Sequence, residues 1–154
     1  MRCLLQAGTR NLFKEAILAR EAQSSTAIEA GIAVPHAKSD AVSNPGLAAM
    51  TLSQGVDYGA MDKQPSDLFF MIAAPLDGNL HLEILSRLMV LLMDPEFTSG
   101  LRAAKTAEEF LAVIDKAEAA KYGETGVPGV ESVDTAEEAA AKAAKNAGGE
   151  YPVR

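Results

Sequence analysis

The chain has 154 residues, 48% of them hydrophobic and 23% charged, with a formal net charge of −7. That supplies enough apolar material for one packed domain, while the acidic balance speaks against nucleic acid, whose phosphates need a basic surface. Cys3 is the single cysteine, which excludes an internal disulfide and a thiolate metal cluster. No apolar run reaches the roughly 18–20 residues of a membrane span, and the start MRCLLQAGTR lacks a secretory pattern, so a cytoplasmic protein is expected.

In chain order, NLFKEAILAREAQ predicts a helix over 11–23 with Phe13, Ala16 and Ile17 as its apolar stripe. Arg20 lies seven residues after Phe13 and falls on that stripe. Charged residues avoid such a face unless the stem snorkels or the head meets an anion. GIAV (31–34) reads as a short buried strand that Pro35 ends, leaving His36 on the loop behind it. Two more strands are expected at 46–52 and 66–75, the second carrying a continuous apolar run and so covered on both faces. Residues 79–94 read as a strong helix, with Asn79 as N-cap and with His81, Leu85, Leu88 and Leu92 on one face. Met71, Met89 and Met93 sit in core-like patterns and are expected to pack. Thr106 and Glu109 have capping-box spacing ahead of a helix carrying Phe110, Leu111 and Ile114. Alternating strands and helices give an α/β fold with a small mixed sheet flanked by helices. Large apolar residues become sparse beyond 117. Residues 1–117 are therefore expected to form the domain, and 118–154 an Ala-rich flexible linker in which Thr135 and Glu138 could open a marginal helix.

The chemistry rests on few residues. His36 follows a strand, where α/β folds commonly place ligands, and Pro35 fixes the backbone entering it. His81 falls in the first turn of a helix, whose unpaired N–H groups favour anions and disfavour imidazolium. If Arg20 joins them, the three describe a nucleophilic imidazole beside a phosphate cradle. Each also has an ordinary reading: a packed helix histidine, a loop histidine without a role, a snorkelling arginine. A zinc site needs about three protein ligands, and no H-E-x-x-H, G-x-S-x-G, P-loop or G-x-G-x-x-G motif occurs, so neither metal nor cofactor is expected.

The stretches LAREAQSSTAIEAGIAVPHAKSDAV and HLEILSRLMVLL, the second histidine standing 45 residues after the first, resemble the IIA component of the bacterial phosphoenolpyruvate-dependent sugar phosphotransferase system, fructose/mannitol type. The resemblance runs from about residue 10 to 117. It implies that His36 is the phosphorylated nucleophile and that His81 and Arg20 stabilise the phosphoryl group. It also implies a fructose/mannitol-type IIA fold that lacks the family's N-terminal strand and helix, and a run STAIEAGIA in which Ala27 and Glu29 replace small or glycine positions. The implied partners are the histidine-containing phosphocarrier protein, a IIB domain with a cysteine acceptor and, indirectly, the membrane IIC component. The Ala-rich tail resembles the linker that leads into IIB in multidomain fructose permeases. The alternative within the family is a regulatory, nitrogen-related IIA module that controls partners by its phosphorylation state. For either partner the net charge suggests acidic residues near His36, with Glu29 and Asp40 flanking the motif.

Overall fold

A computed structural model describes residues 9–123. The elements are α1 (Thr9–Glu21), β1 (Ile32–Ala33), β2 (His36–Lys38), β3 (Gly46–Val56), β4 (Ser66–Ala74), α2 (Leu80–Leu92), α3 (Pro95–Ala103) and α4 (Ala107–Tyr122). This is the α/β class expected, with a small mixed sheet and four helices.

β4 is the central strand. On one side it pairs in parallel with β1 and then β2, and on the other antiparallel with β3. Its apolar run explains the position: Leu68, Phe70 and Ile72 are wholly buried and share the face covered by α2 and α3. Truncating a side chain such as Phe70 there should cost about 3–5 kcal/mol. Phe69 on the opposite face packs edge-on against Tyr58, with ring centroids 5.3 Å apart.

Pro35 follows the end of β1, at Ala33, as its missing N–H suggested. It interrupts one line of chain between β1 and β2, and pairing with β4 resumes at once, His36 opposite Ile72. A proline keeps its acceptor, and the Pro35 carbonyl takes a bond from Ile72 N at 2.9 Å. His36 is therefore a strand residue, not a loop residue.

Other differences from the sequence reading are local. α1 starts and stops two residues early. β3 is longer than 46–52, with a register shift between Thr51 and Val56. Asn79 holds the N-cap position of α2 without a side-chain cap; only its carbonyl bonds into the helix. Met89 packs against the core, but Met71 and Met93 are 38% and 81% exposed, so two of the three methionines are surface residues. α3 was not anticipated, although Asp94 as N-cap, accepting from Glu96 N, followed by Pro95 in the first turn, is a recognised start signal. The Thr106 cap forms, its hydroxyl accepting from Glu109 N at 3.2 Å, while the Glu109 carboxylate reaches Lys105 N instead of Thr106 N. α4 crosses the expected domain edge at 117 and runs to Tyr122, with Ala117 and Tyr122 against the core. Cys3, Thr135 and Glu138 lie outside the described residues.

Candidate active site

β2 places His36 and Lys38 on one face, since side chains alternate along a strand. Their parallel partners Ile72 and Ala74 belong to the face over which α2 packs. α1 lies against β2. A cavity of about 460 Å³ opens between these elements, lined by Arg20 and Gln23 from α1, His36 and Lys38 from β2, and His81 and Leu85 from α2. The three residues singled out in the sequence therefore meet in one place. Neither Glu29 nor Asp40 lines it, and the lining has no carboxylate at all. The cavity itself is basic.

The ring of His36 is oriented by the chain just before it. Nδ1 lies 2.8 Å from the carbonyl oxygen of Val34. A carbonyl can only accept, so Nδ1 carries the proton and donates it. In the neutral ring Nε2 then holds the lone pair, and it has no protein partner among the described residues.

That geometry is anchored from α1. The Glu21 carboxylate accepts from Thr26 N at 2.7 Å and from the Thr26 hydroxyl at 2.6 Å. The Thr26 carbonyl in turn accepts from Val34 N at 3.0 Å. One carboxylate thus ties the end of α1 to the residue whose carbonyl aims His36. A second brace holds the turn before β1. Arg102 of α3 donates to both oxygens of Asp67, at 2.7 Å from Nη2 and 3.1 Å from Nε, and to the Ala30 carbonyl at 2.6 Å. Ala30 and Gly31 both have positive φ in that turn, and a Cβ on Gly31 would lie 3.0 Å from the Asp67 carboxylate. Only glycine suits that position.

Arg20 donates from Nη1 to the Ser24 carbonyl at 3.0 Å. It makes no ion pair among the described residues. Lys38 donates from Nζ to the Gly78 carbonyl at 3.0 Å and likewise has no carboxylate partner there. His81 titrates below the usual histidine value of 6.5, first because burial penalises its charged form, then because Lys38 and His36 stand nearby. At neutral pH it is an uncharged donor. No group of His, Cys, Asp and Glu suited to a metal ion occurs among the described residues. The site can offer one unprotonated nitrogen and several donors to an anion, which is the equipment of phosphoryl chemistry.

The family model described as "Phosphoenolpyruvate-dependent sugar phosphotransferase system, EIIA 2" matches residues 2–117. The chain belongs to this family. The EIIA domain is 48% identical over 108 residues to the fructose-specific EIIABC component of Bacillus subtilis, covering 70% of this chain and 17% of that protein. It thus spans about one sixth of that relative's length. Among solved structures it is similar to the nitrogen regulatory protein IIA-Ntr of Neisseria meningitidis, with 30% identity, a TM-score of 0.63 and coverage of 65% and 69% of the two chains. It is also similar to the complex of enzyme IIAMTL and phosphorylated enzyme IIBMTL from Escherichia coli, with 25% identity, a TM-score of 0.58 and coverage of 66% and 72%. In that last structure the IIA protein is bound to a phosphorylated IIB protein. No helix among the described residues is long and apolar enough to cross a membrane.

Two residues of the site, Lys38 and Glu21, were missed in the sequence reading. Lys38 had a signal, since it stands two positions after His36 on a strand and so on the same side. Glu21 had a weaker one, as the acid directly after Arg20 and five residues before Thr26.

Proposed function

We propose that this EIIA domain accepts a phosphoryl group on His36 Nε2 from the histidine-containing phosphocarrier protein and passes it to the cysteine of a IIB domain, for sugar uptake of the fructose type. The observation that carries the reading is the Nδ1–H bond of His36 to Val34. It leaves Nε2 as a lone pair at a cavity lined by cations and neutral donors. Nε2 attacks phosphorus as the bond from phosphorus to the donor's histidine nitrogen breaks. The positive charge then gained by the ring is offset by Nδ1–H bonded to the Val34 oxygen. Arg20 and His81 donate to the phosphoryl oxygens, where charge must be held while the group is in transit. In the second step a cysteine thiolate attacks phosphorus and the Nε2–P bond breaks, so His36 returns to its starting form. No metal or cofactor enters either step.

The 48% identity to a protein named for fructose and for A, B and C components supports transport over regulation. On the same ground we infer that the domain, which α4 carries to Tyr122, is followed by a linker leading towards a IIB domain, with IIC the membrane component served indirectly. The site of action is then cytoplasmic, where the phosphocarrier is. The likeness to a nitrogen regulatory IIA protein favours a second reading, a module whose phosphorylation state sets its affinity for a partner. Incubation with labelled phosphoenolpyruvate, enzyme I and the phosphocarrier tests the first step. Label on His36, stable in base and labile in acid, is expected. Transfer of that label to a fructose IIB domain separates transport from regulation, because a purely regulatory module would keep it.

A further inference from the structure

We propose that Lys38 is a latch that couples the phosphorylation state of His36 to the turn opening α2: it holds that turn through the Gly78 carbonyl while His36 is free, and moves its ammonium to the phosphoryl group once His36 carries one. The proposal rests on His36 being the phosphorylated residue.

The placement comes from the strand. His36 and Lys38 stand two residues apart on β2, which puts them on one face about 6.6 Å apart along the chain. A four-carbon stem covers that span. Both line the same cavity. The bond Lys38 now makes is to a neutral carbonyl, at 3.0 Å, and no carboxylate among the described residues neutralises its charge. A phosphoryl group on His36 Nε2 presents anionic oxygens, and a bond charged at both partners is stronger than one charged at the donor alone. The ammonium has a better acceptor as soon as the phosphoryl group arrives.

Release of Gly78 matters because of what the turn carries. Residues 75–79 join β4 to α2, Leu76 in that turn is 56% exposed, and His81 stands at the second position of the helix that the turn opens. The helix start lacks a side-chain cap, so the Lys38 bond is a tether from the sheet to this turn that side-chain capping does not duplicate. With the tether withdrawn, the turn and its exposed leucine gain freedom. A partner docking beside His36 then meets a different surface in the two states, which lets a donor leave and an acceptor bind at one face.

The test is NMR on the whole chain before and after phosphorylation by phosphoenolpyruvate, enzyme I and the phosphocarrier, with the phosphohistidine followed by its phosphorus signal. The expected result is that the Gly78 carbonyl carbon shifts and amide exchange over 76–79 speeds up several-fold on phosphorylation. In Lys38→Met, which keeps most of the stem and loses the charge, exchange is already fast before phosphorylation and changes little after it. Lys38→Arg, which keeps a donor cation, should restore part of the response. A phosphohistidine at His36 with an unchanged Gly78 signal in the wild-type chain overturns the latch and leaves the phosphoryl assignment standing. Absence of any phosphohistidine at His36 removes both. The wild-type comparison decides even if Lys38→Met does not fold.

Discussion

His36 and His81 face one cavity but are held in opposite ways. His36 is gripped by a strand: Ile72 N bonds the carbonyl of Pro35 before it, Ser39 N bonds Ala74 after it, and its own ring is fixed to Val34. His81 rides on the second residue of a helix with no ring bond among the described residues and no side-chain cap beneath it. A nucleophile has to meet phosphorus in line, and a fraction of an ångström matters. A donor to phosphoryl oxygens needs the right protonation state more than a fixed pose. The strand supplies the first quality, and burial and nearby charge supply the second.

The largest effect follows from removing the gripped ring. His36→Ala should abolish phosphate uptake while leaving the fold intact, because the strand bonds on either side of it are made by backbone. Labelling with phosphoenolpyruvate and the two general phosphotransferase proteins reads the first, and a thermal melt reads the second. Full labelling of His36→Ala would remove it as the acceptor.

Taking away the looser partners should cost less. His81→Ala and Arg20→Ala each delete one donor to the phosphoryl oxygens, an effect of about 2–4 kcal/mol on the transfer barrier. Rapid-quench rates should fall by two to three orders of magnitude at most, with uptake still complete at long times. Wild-type rates in both variants would make these residues packing alone.

Pro35 separates grip from chemistry. Pro35→Ala keeps the carbonyl that Ile72 N uses but frees the chain entering His36. Stability should drop by about 0.4–1 kcal/mol, largely through the unfolded chain, and transfer should slow a few-fold. A variant as fast as wild type would show that the Val34 bond alone aims the ring.

The sequence displayed the two histidines and the arginine because their types are rare and their spacing unusual. It showed β4 because a fully apolar run has few other uses. What it hid was continuity across Pro35. Proline demotes a strand when its missing N–H is needed, yet the bond to Ile72 uses the carbonyl, which proline retains. The basic lining of the cavity was hidden for another reason. A net charge of −7 is a property of the whole chain, and the cavity draws on the few basic residues that α1 and β2 point inward. Arg102 was illegible because its partners, Asp67 and Ala30, are defined only by the folded turn it braces, and Glu21 was faint because its tie to Thr26 forms only once that turn folds.

The smallest expected effect sharpens the contrast most. His81 should titrate below 6.5 in the unphosphorylated domain, from burial first, then Lys38, then His36. The sign for stability follows. The unfolded chain binds this proton more readily than the folded one, so the contribution is full above about pH 6.5 and is lost as pH falls through the folded value. Nitrogen-detected imidazole titration reads the midpoint directly. Lys38→Met should bring it back part of the way, and His36→Ala by less, following the order of causes. Phosphorylation of His36 should act in the opposite direction and more strongly, since an anionic group beside His81 favours imidazolium. The helix-borne ring would then gain charge when there is an anion to hold and shed it once the group has moved on. A midpoint at or above 6.5 before phosphorylation, or one that phosphorylation leaves in place, would show that His81 does not feel the strand-borne histidine.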